Sequence, residues 1–348
     1  MPNTDTRDLS KFWLDACRST QGRIVFPEST DLRTIEAVGR LVREKAAKQI
    51  FFTGSRQGTL DAARANPQLC ADLESGVTWT RDAVPDLADQ TRDLLERAAA
   101  DRGKHVAPDI LAKQSSDPLY QAGTLMHAGL ADCALAGAVG TTSAVIRAAI
   151  ATVGIEPGLK TVSGSFIMEK NIEKNSAAYL YADAGVVIDP TLEQLVDIAS
   201  ASVKTWTCLV PNSGYFASGK EPVVAFLSFS TKGSAVHPAA EKMALAARLF
   251  QERHPHIAVD GELQFDAAID PGIAARKCPS SPAAGRANIF IFPNLESGNI
   301  AYKITQRLGG FHAYGPILQG LAKPYSDLSR GSTPHDIFMS ALGNLLRA

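Results

Sequence analysis

The chain has 348 residues, of which 45% are hydrophobic and 20% charged, and this composition excludes an intrinsically disordered or fibrous protein. A single hydrophobic core stops growing at roughly 250–300 residues, so the length favours two lobes with a ligand bound in the cleft between them. Lys plus Arg total 35 and Asp plus Glu total 36, so a net charge of −1 provides no overall field for nucleic acid or for an anionic membrane surface.

Short β-branched runs alternate with amphipathic segments along the whole chain. This alternation is typical of a three-layer α/β/α protein with largely parallel sheets. The predicted strands are residues 23–28, 49–54, 131–139, 161–168, 185–189, 223–230, 257–269 and 288–293, and the clearest predicted helices are residues 32–45, 191–205 and 238–253.

Two segments rich in glycine and proline interrupt this pattern, residues 154–158 (GIEPG) and 309–316 (GGFHAYGP). If both are hinges, residues 1–158 plus 316–348 form one discontinuous domain and residues 159–315 form an inserted domain. The active site is then expected in the cleft between the two domains.

The cysteines and the amino terminus indicate the cellular setting. Five widely spaced cysteines, none in a Cys-x-x-Cys pair, favour reduced thiols over a disulfide framework or a zinc site. The opening stretch MPNTDTRDLSKFW lacks the apolar core of a secretory signal, and no window reaches the ~18 consecutive apolar residues of a membrane span. We therefore expect a soluble, cytoplasmic protein that binds neither membranes nor nucleic acid.

Several common catalytic signatures are missing from the sequence. It has no GxGxxG after a strand, no GxxxxGK[ST], no HExxH and no GxSxG. Their absence argues against the usual dinucleotide and nucleoside triphosphate sites, a zinc peptidase and an α/β-hydrolase. The seven histidines show no metal-ligand spacing, so each is expected to be a surface or hydrogen-bonded side chain.

The segment 294–307 (NLESGNIAYKITQR) follows the predicted strand at residues 288–292. We expect it to begin a helix at Ser297, Gly298 and Asn299. A helix that begins just past the carboxyl end of a strand directs N–H groups and a partial positive charge outward, which suits a phosphate.

The side chains of this helix fall into two groups. On a helical wheel Ile304 and Leu308 lie within about 80° of Ile300, while Lys303 and Arg307 lie within about 60° of it on the other side. We therefore expect the three apolar residues to pack against the protein and the two cations to line a cleft. The alternative is a pair of cations that snorkel at the edge of a surface helix.

The segment 327–336 (DLSRGSTPHD) precedes a predicted helix at residues 337–346. Thr333 is a suitable N-cap, Pro334 suits the first helical position, and Asp336 stands three residues after the cap, so the set forms a capping box. This is a complete structural explanation of Asp336, and its spacing alone leaves a catalytic role open.

The Ser-Arg-Gly sequence at residues 329–331, ahead of this cap, indicates anion binding. Ser329 and Arg330 offer a hydroxyl and a guanidinium on a loop made flexible by Gly331, in front of a helix N-terminus. The fork of an arginine matches a phosphate with two parallel hydrogen bonds, and lysine would not replace it.

At these residues the sequence closely resembles the phosphotransacetylase (phosphate acetyltransferase) family. The likeness spans nearly the whole chain and rests on several strings that occur in the family's order. They are RIVFPESTDLRTIEA (23–37), GAVGTTSAVIRAA (137–149), VVAFLSFSTKGSA (223–235), VDGELQFDAAI (259–269), FIFPNLESGNIAYKITQRLGG (290–310) and GPILQGLAKPYSDLSRG (315–331).

The resemblance implies reversible transfer of an acetyl group between acetyl phosphate and coenzyme A, by direct thiolate attack in a ternary complex. It implies no catalytic metal and no permanently bound cofactor, with coenzyme A as co-substrate. It also implies two α/β lobes of the isocitrate- or isopropylmalate-dehydrogenase type, and a homodimer. The alternatives are a phosphate butyryltransferase or other acyl-chain variant, and a non-catalytic domain of the same family.

The resemblance also assigns roles to individual residues. Asp336 falls on the general base, Ser329 on the residue that assists it, and Arg330 on the arginine that holds the acyl phosphate. The further substrate-binding positions are Arg307, Arg147, Lys303 and Tyr314.

In a few positions the family pattern is uncertain or altered. A fourth family arginine corresponds to either Arg97 or Arg102, because the spacing differs here. Ser332 stands where many members have cysteine. Gly140 and Ala144 replace a bulkier polar residue and an aspartate in the loop before Arg147, and this departure is consistent either with a specialised subfamily or with a changed acyl pocket.

Overall fold

The structure of the protein, a computed structural model, describes residues 9–172, 175–210 and 221–348. The chain divides into two compact units. The first unit consists of Ser10–Pro157 and Leu321–Ala348, and the second unit consists of Gly158–Gly320 together with Leu9.

Helices and strands alternate through both units. In the first stretch of the first unit, which ends at Pro157, the elements are α1 (Leu9–Thr20), β1 (Arg23–Phe26), α2 (Leu32–Arg43), β2 (Gln49–Phe52), α3 (Arg56–Ala63), α4 (Pro67–Gly76), β3 (Val77–Trp79), α5 (Thr80–Ala83), α6 (Leu87–Ala100), α7 (Pro108–Ser115), α8 (Pro118–His127), β4 (Cys133–Ala136) and α9 (Thr142–Thr152). They continue with β5 (Ser163–Ile172), β6 (Asn175–Ala182), α10 (Leu192–Leu209), β7 (Val223–Leu227), α11 (Pro238–Arg253), β8 (Ala258–Leu263), α12 (Phe265–Ile269), α13 (Pro271–Lys277), β9 (Ile289–Ile291), α14 (Leu295–Arg307), β10 (His312–Gln319), β11 (Tyr325–Asp327) and α15 (Pro334–Leu345).

The sheet of the first unit is parallel throughout, in the order β11-β4-β1-β2-β3. Its central strands are apolar on both faces, since all four residues of β4 are buried. Because the strands are parallel, their carboxyl ends lie along one edge, and the loops that follow β11, β4 and β1 are neighbours there.

The sheet of the second unit is mixed, in the order β10-β5-β6-β9-β7-β8. Strand β9 is parallel to β6 and β7, and β7 is parallel to β8, whereas β5 is antiparallel to β6 and β10. A core of aromatic and small residues packs on one side of this sheet and includes Phe166, Tyr181, Ala225 and Phe290. The sheets are mostly parallel with helices on both sides, which confirms the predicted α/β fold class.

Seven of the eight predicted strands contain an observed strand, and the prediction at residues 185–189 is wrong. The buried carboxylate of Asp183 accepts hydrogen bonds from the N–H groups of Gly185, Val186 and Val187 at 2.6 to 3.0 Å. Those N–H groups are therefore not available for hydrogen bonds to a neighbouring strand, and the apolar segment 185–189 forms a turn instead of a strand.

Within the described ranges, four observed strands were not predicted: β3, β6, β10 and β11. The strand β6 reads NSAAYLYA, whose alanines give a weak strand signal. The strand β10 runs through the second predicted hinge at residues 309–316. Its register against β5 shifts between Tyr314 and Ile317, where Gly315 and Pro316 interrupt the ladder because proline has no N–H to donate.

Among the described residues, no helix is both long enough and apolar enough to cross a membrane.

Candidate active site

In the first unit, a tight turn follows β11 and leads directly into α15. The Ser332 N–H donates to the Ser329 carbonyl at 2.9 Å, and the Gly331 N–H donates to Ser329 Oγ at 3.3 Å. The side chains of Ser329 and Arg330 are exposed on this turn. The guanidinium of Arg330 makes no hydrogen bond or ion pair with any described residue, so it is available to a ligand.

The predicted capping box at the start of α15 is confirmed. Thr333 Oγ1 accepts from the Asp336 N–H at 3.2 Å, and Asp336 Oδ2 accepts from the Thr333 N–H at 2.9 Å and from its hydroxyl at 2.8 Å. The other carboxylate oxygen, Oδ1, accepts no hydrogen bond from the described part of the chain. Asp336 is half-buried, so the cap orients the carboxylate and leaves one oxygen for chemistry.

Arg33, in the first turn of α2, ties this turn to a neighbouring loop. Its Nη1 donates to the carbonyls of Arg330 at 2.7 Å and Ser332 at 3.1 Å, and its Nη2 donates to the Ala138 carbonyl at 2.7 Å. Asp31 orients the guanidinium through Oδ1 at 3.1 Å and Oδ2 at 2.8 Å. One arginine therefore fixes the backbone on both sides of Gly331, at Arg330 and at Ser332.

The Asp31 carboxylate also caps α2, and its charge is stabilised where it lies. Burial alone would raise the pKa of Asp31. Hydrogen bonds from the Arg33 guanidinium and from the N–H groups of Thr34 and Arg33 outweigh burial, so the pKa of Asp31 is below its usual value. The pair therefore remains charged at neutral pH.

Glu28 holds the loop between β4 and α9 from the end of β1. Its Oε2 accepts from the Ala138 N–H at 2.6 Å, and its Oε1 accepts from the N–H groups of Val139 at 3.1 Å and Gly140 at 2.8 Å. A carboxylate that accepts three backbone N–H groups fixes the loop as a unit. A β-carbon at Gly140 would lie 3.2 Å from Glu28 Oε1, so the glycine favours this close approach.

Asp327, the last residue of β11, is buried beside the same loop. Its Oδ2 accepts from the Thr142 hydroxyl, and its Oδ1 has no hydrogen-bond partner in the described structure. Gly137 has φ +97°, and a β-carbon there would lie 2.0 Å from Asp327 Oδ1, so only glycine fits. Burial, with a smaller contribution from the nearby Glu28 charge, raises the pKa of Asp327 to about 6, although the hydrogen bond from Thr142 acts in the opposite direction.

The predicted phosphate-binding Arg147 lies on α9 with its side chain exposed and unpaired in the described structure. It is close enough to Tyr120 to lower the pKa of that phenol, which burial raises overall. Arg102 Nη2 donates to the Ile150 carbonyl on the same helix at 3.2 Å. Arg97 instead donates from Nε to the carbonyl of Asp93 in its own helix at 3.1 Å.

In the second unit, α14 begins at Leu295, two residues before the predicted start. Asn294 is the N-cap, because its side chain accepts from the Ser297 N–H at 2.9 Å. The Leu295 N–H donates to the Ile188 carbonyl at 2.9 Å. These first-turn donors are already satisfied, which weakens the argument for phosphate at this helix end. A β-carbon at Gly298 would lie 2.1 Å from the Asp183 carbonyl, so glycine here permits close packing.

The predicted packing face of α14 is wrong. The exposed fractions of Ile300, Ile304 and Leu308 are 56%, 54% and 85%. The helix packs instead through Tyr302, whose ring stacks on Phe166 with centroids 3.9 Å apart. The helical wheel grouped the apolar residues correctly, but it did not show which side of the helix faces the sheet. The side that carries Gly298 and Ala301 faces it, because these small residues let the helix backbone come closest to the sheet.

The predicted substrate contacts of the second unit have different surroundings. Lys303 and Arg307 are both exposed, and Lys303 Nζ donates to Asn299 Oδ1 at 2.7 Å. Arg307 has no hydrogen-bond partner within the described ranges. Tyr314 is buried, and its hydroxyl donates to Glu169 Oε2 at 3.0 Å. These assignments remain predictions.

Sequence reasoning missed the four residues that organise the first unit's loops: Glu28, Asp31, Arg33 and Asp327. A signal for the first three was present, because charged residues directly after an apolar strand often lie at the functional edge of a parallel sheet. The sequence does not reveal that β1 is next to β4, and this pairing brings Glu28 and Arg33 to the loop after β4.

Comparisons with known proteins agree with this geometry. A sequence model of the family described as phosphate acetyl/butaryl transferase matches residues 10–343. The chain is 38% identical over 328 residues to the phosphate acetyltransferase of Acetivibrio thermocellus, covering 93% of each chain. It is 39% identical over 321 residues to that of Bacillus subtilis, covering 92% of this chain and 93% of the other.

A similar solved structure is a phosphotransacetylase from Streptococcus pyogenes, with a TM-score of 0.84 and 35% identity over 97% of this chain and 98% of the other. These likenesses extend over nearly the whole sequence and include the turn that carries Ser329 and Arg330. The chain therefore belongs to the phosphate acetyl/butaryl transferase family.

Proposed function

We propose that the protein is a phosphate acetyltransferase, which transfers an acetyl group reversibly between acetyl phosphate and coenzyme A. The observation that carries this proposal is that Ser329 and Arg330 lie on a braced turn that leads into α15, whose first turn carries Asp336, in a chain similar along its length to curated phosphate acetyltransferases. The enzyme is thus an acyltransferase.

Asp336 is proposed as the general base that takes the proton from the coenzyme A thiol. An ordinary carboxyl group has a pKa of about 3.9 and a free thiol about 8.5, so complete proton transfer before attack would be uphill by roughly 6 kcal/mol. The proton therefore leaves the sulfur while the new C–S bond forms. The orientation of the carboxylate by Thr333 supports this role, because one oxygen is anchored and the other is available.

Arg330 is proposed to hold the acyl phosphate. Its backbone is fixed through Arg33, while its guanidinium makes no ion pair with a described residue. With its backbone fixed, Arg330 can use its guanidinium to neutralise the phosphate as the sulfur attacks and to stabilise charge on the carbonyl oxygen. Phosphate is already a good leaving group, so it needs little acid assistance.

Ser329 is proposed to assist the base. Its Oγ accepts from the Gly331 N–H, so the hydroxyl proton is free to donate to the reacting sulfur or carbonyl oxygen. Arg147, Arg307 and Lys303 are proposed to add positive charge for the phosphates of the two substrates. Smaller contributions are proposed for Ser297, Gly298, Asn299 and Tyr314.

We choose Arg102 rather than Arg97 as the fourth family arginine. Arg102 reaches α9, the helix that carries Arg147, through the Ile150 carbonyl. Arg97 donates a hydrogen bond from Nε to the carbonyl of Asp93, within its own helix. Two arginines beside one helix give a concentrated positive charge for a polyanionic substrate.

We also propose a homodimer in the cytoplasm that needs no metal or bound cofactor. The exposed stripe of Ile300, Ile304 and Leu308 on α14 supports the dimer, because adjacent large apolar side chains on a surface favour association. The five cysteines are all free thiols, which supports a reducing compartment.

The decisive test is a direct assay. Purified protein is incubated with coenzyme A and acetyl phosphate, and thioester formation is followed by absorbance with and without EDTA. We expect turnover that EDTA does not reduce. Acetyl, propionyl and butyryl phosphate are compared by kcat/KM in the same assay. A wild-type protein that forms no acetyl thioester contradicts the proposal, and a preference for butyryl phosphate assigns the alternative acyl chain.

A further inference from the structure

Two carboxylates hold the chain between β4 and the start of α9. Glu28 accepts hydrogen bonds from the N–H groups of residues 138–140, and Asp327 accepts one from the hydroxyl of Thr142, the first residue of α9. The same helix carries Arg147, and the proposed catalytic turn follows β11, which Asp327 ends. Asp327 therefore lies between two elements that carry proposed phosphate ligands.

The position of Asp327 is electrostatically unfavourable. Its side chain is 1% exposed and forms no ion pair with a described cation. The nearby charge of Glu28 has the same sign, and the substrate of the proposed reaction is itself an anion. A buried carboxylate without a cation is costly to ionise, so its presence beside this site calls for a reason other than stability.

The surroundings of the two carboxylate oxygens suit the ionised form. The Thr142 hydroxyl lies 2.5 Å from Oδ2, a separation typical of a hydrogen bond to a charged acceptor, roughly 2.5–2.7 Å. Oδ1 has no hydrogen-bond partner in the described structure, and the N–H of Leu328 also favours the charged form. A proton on Oδ2 would face the hydroxyl proton of Thr142, so protonation opposes that contact.

The titratable groups that surround Asp327 are acidic side chains. They are Glu28 after β1, Tyr325 at the start of β11, Tyr120 in α8 and Asp117, the N-cap of α8. Arg147 interacts electrostatically with Tyr120, and Arg33 interacts with Glu28. Burial is the main cause that raises the pKa of Asp327 to about 6, so the carboxyl group is mostly protonated at pH 5 and ionised at pH 8.

We propose that the ionised carboxylate of Asp327 is a positioning residue for the acyl phosphate, because it fixes the first turn of α9 through Thr142 and thereby the placement of Arg147. This inference rests on the proposed function and adds to it a residue that does not touch the substrate. Small displacements of a group that holds a substrate reduce the rate strongly. A buried charge that destabilises the fold is then retained because it orders the helix that receives the phosphate.

The first test replaces Asp327 by asparagine, which keeps the shape of the side chain and removes its charge. At pH 8 and saturating coenzyme A, we expect kcat/KM for acetyl phosphate to fall about tenfold. At pH 5 the wild-type carboxyl group is also neutral, so the difference should shrink to about twofold. The ratio of the two proteins is compared across this range, because ionisation of the substrates then cancels.

A second test changes the other partner of the hydrogen bond. Thr142→Val removes the donor and should cause the same loss at pH 8, whereas Thr142→Ser keeps a hydroxyl and should retain kcat/KM within about threefold. The control is Thr152→Val, the same substitution at the other end of α9. The Thr152 hydroxyl donates only within its own helix, to the Ala148 carbonyl at 2.7 Å, so kcat/KM should not change at either pH.

A purely structural role for Asp327 gives a different result. Loss of a structural contact would lower stability and activity together at every pH. We instead expect Asp327→Asn to be at least as stable as the wild type towards urea at pH 8 while its kcat/KM is lower. A ratio of kcat/KM that stays constant between pH 5 and pH 8, or a loss of activity matched by a loss of stability, would overturn the proposal.

The failure of this inference is distinguishable from the failure of the proposed function. If the wild type transfers acetyl groups and Asp327→Asn matches it at pH 8, only the positioning role is wrong. If the wild type transfers no acetyl group, calorimetric binding of inorganic phosphate at pH 5 and pH 8 still tests the role. Weaker binding to Asp327→Asn at pH 8 alone would support it, and equal affinities of the two proteins at pH 8 would overturn it.

Discussion

The Thr142 hydroxyl donates a 2.5 Å hydrogen bond to Asp327 Oδ2, joining the end of β11 to the first turn of α9. Arg147 lies on α9, and Ser329 and Arg330 follow β11 directly. This one contact therefore links the helix of one proposed phosphate-binding arginine to the turn of another. It is made by a carboxyl group that is 1% exposed and has no cationic partner in the described chain.

Replacing Asp327 by asparagine should make stability less dependent on pH. The pKa of Asp327 is raised from 3.8 to about 6 in the folded state, so its ionisation is less favourable there than in the unfolded chain. The cost is absent below about pH 4, grows as the pH rises to about 6, and is constant above it, where it reaches roughly 3 kcal/mol at most. An asparagine at this position would accept the Thr142 hydrogen bond without carrying a charge.

The measurement for this prediction is urea unfolding of the wild type and Asp327→Asn between pH 5 and pH 8. We expect the variant to gain stability relative to the wild type as the pH rises, with the difference levelling off above about pH 7. A constant difference at every pH would show that the charge of Asp327 is not the cause. Thr142→Val serves as a companion variant, because it removes the donor and should raise the apparent pKa further.

Arg33 should act as a positioning residue for the Ser329 turn. Arg33→Lys keeps the positive charge but cannot donate to the carbonyls of Arg330, Ser332 and Ala138 together. We expect kcat to fall about tenfold or more, since a displaced guanidinium at Arg330 loses its transition-state contact.

The matched control for that variant is Arg43→Lys in the same helix. Arg43 pairs with Asp72 at the far end of α2 and contacts neither loop. We expect it to retain kcat within about twofold, because lysine keeps a cation beside Asp72 and the pair lies away from the Ser329 turn. If Arg33→Lys kept a normal kcat, the bridge from Arg33 to the turn would have no catalytic importance.

The two functions of Asp336 can be separated by a pair of variants. Asp336→Asn retains an oxygen that can accept from Thr333, so the helix cap largely survives, but the base is removed. We expect kcat to fall on the order of 10²–10⁴-fold with little change in stability. Thr333→Ala removes the cap hydroxyl and should cost about 1 kcal/mol of stability with a much smaller effect on kcat. Near-normal kcat in Asp336→Asn would remove the base assignment.

The sequence predicted those parts of the site that depend on neighbours along the chain. The Thr333 and Asp336 capping box is a local pattern of four residues, and the structure contains it. The links from Glu28 and Arg33 to the loop after β4 connect positions about a hundred residues apart, and they depend on strand order. Local patterns do not determine strand order, so these links could not be predicted.

The packing of α14 shows a second limit. Periodicity separated Ile300, Ile304 and Leu308 from the rest of the helix, but these residues are exposed and Tyr302 packs on Phe166. Hydrophobic periodicity predicts that a helix has an apolar face, and it does not tell whether that face meets the same chain or another surface. Backbone approach at Gly298, where a β-carbon would collide with the Asp183 carbonyl, decided the orientation.

Arg102 and Arg97 form a matched pair for testing the fourth arginine. Both are exposed arginines near the end of α6, but only Arg102 contacts α9, which carries Arg147. We expect Arg102→Ala to lower kcat/KM for coenzyme A about tenfold, through loss of a charge-assisted contact to the substrate, and Arg97→Ala to change it less than twofold. Equal effects would show that neither position is specific. A larger loss in Arg97→Ala would reverse the assignment, because the hydrogen bond to Ile150 would then mark a structural role for Arg102.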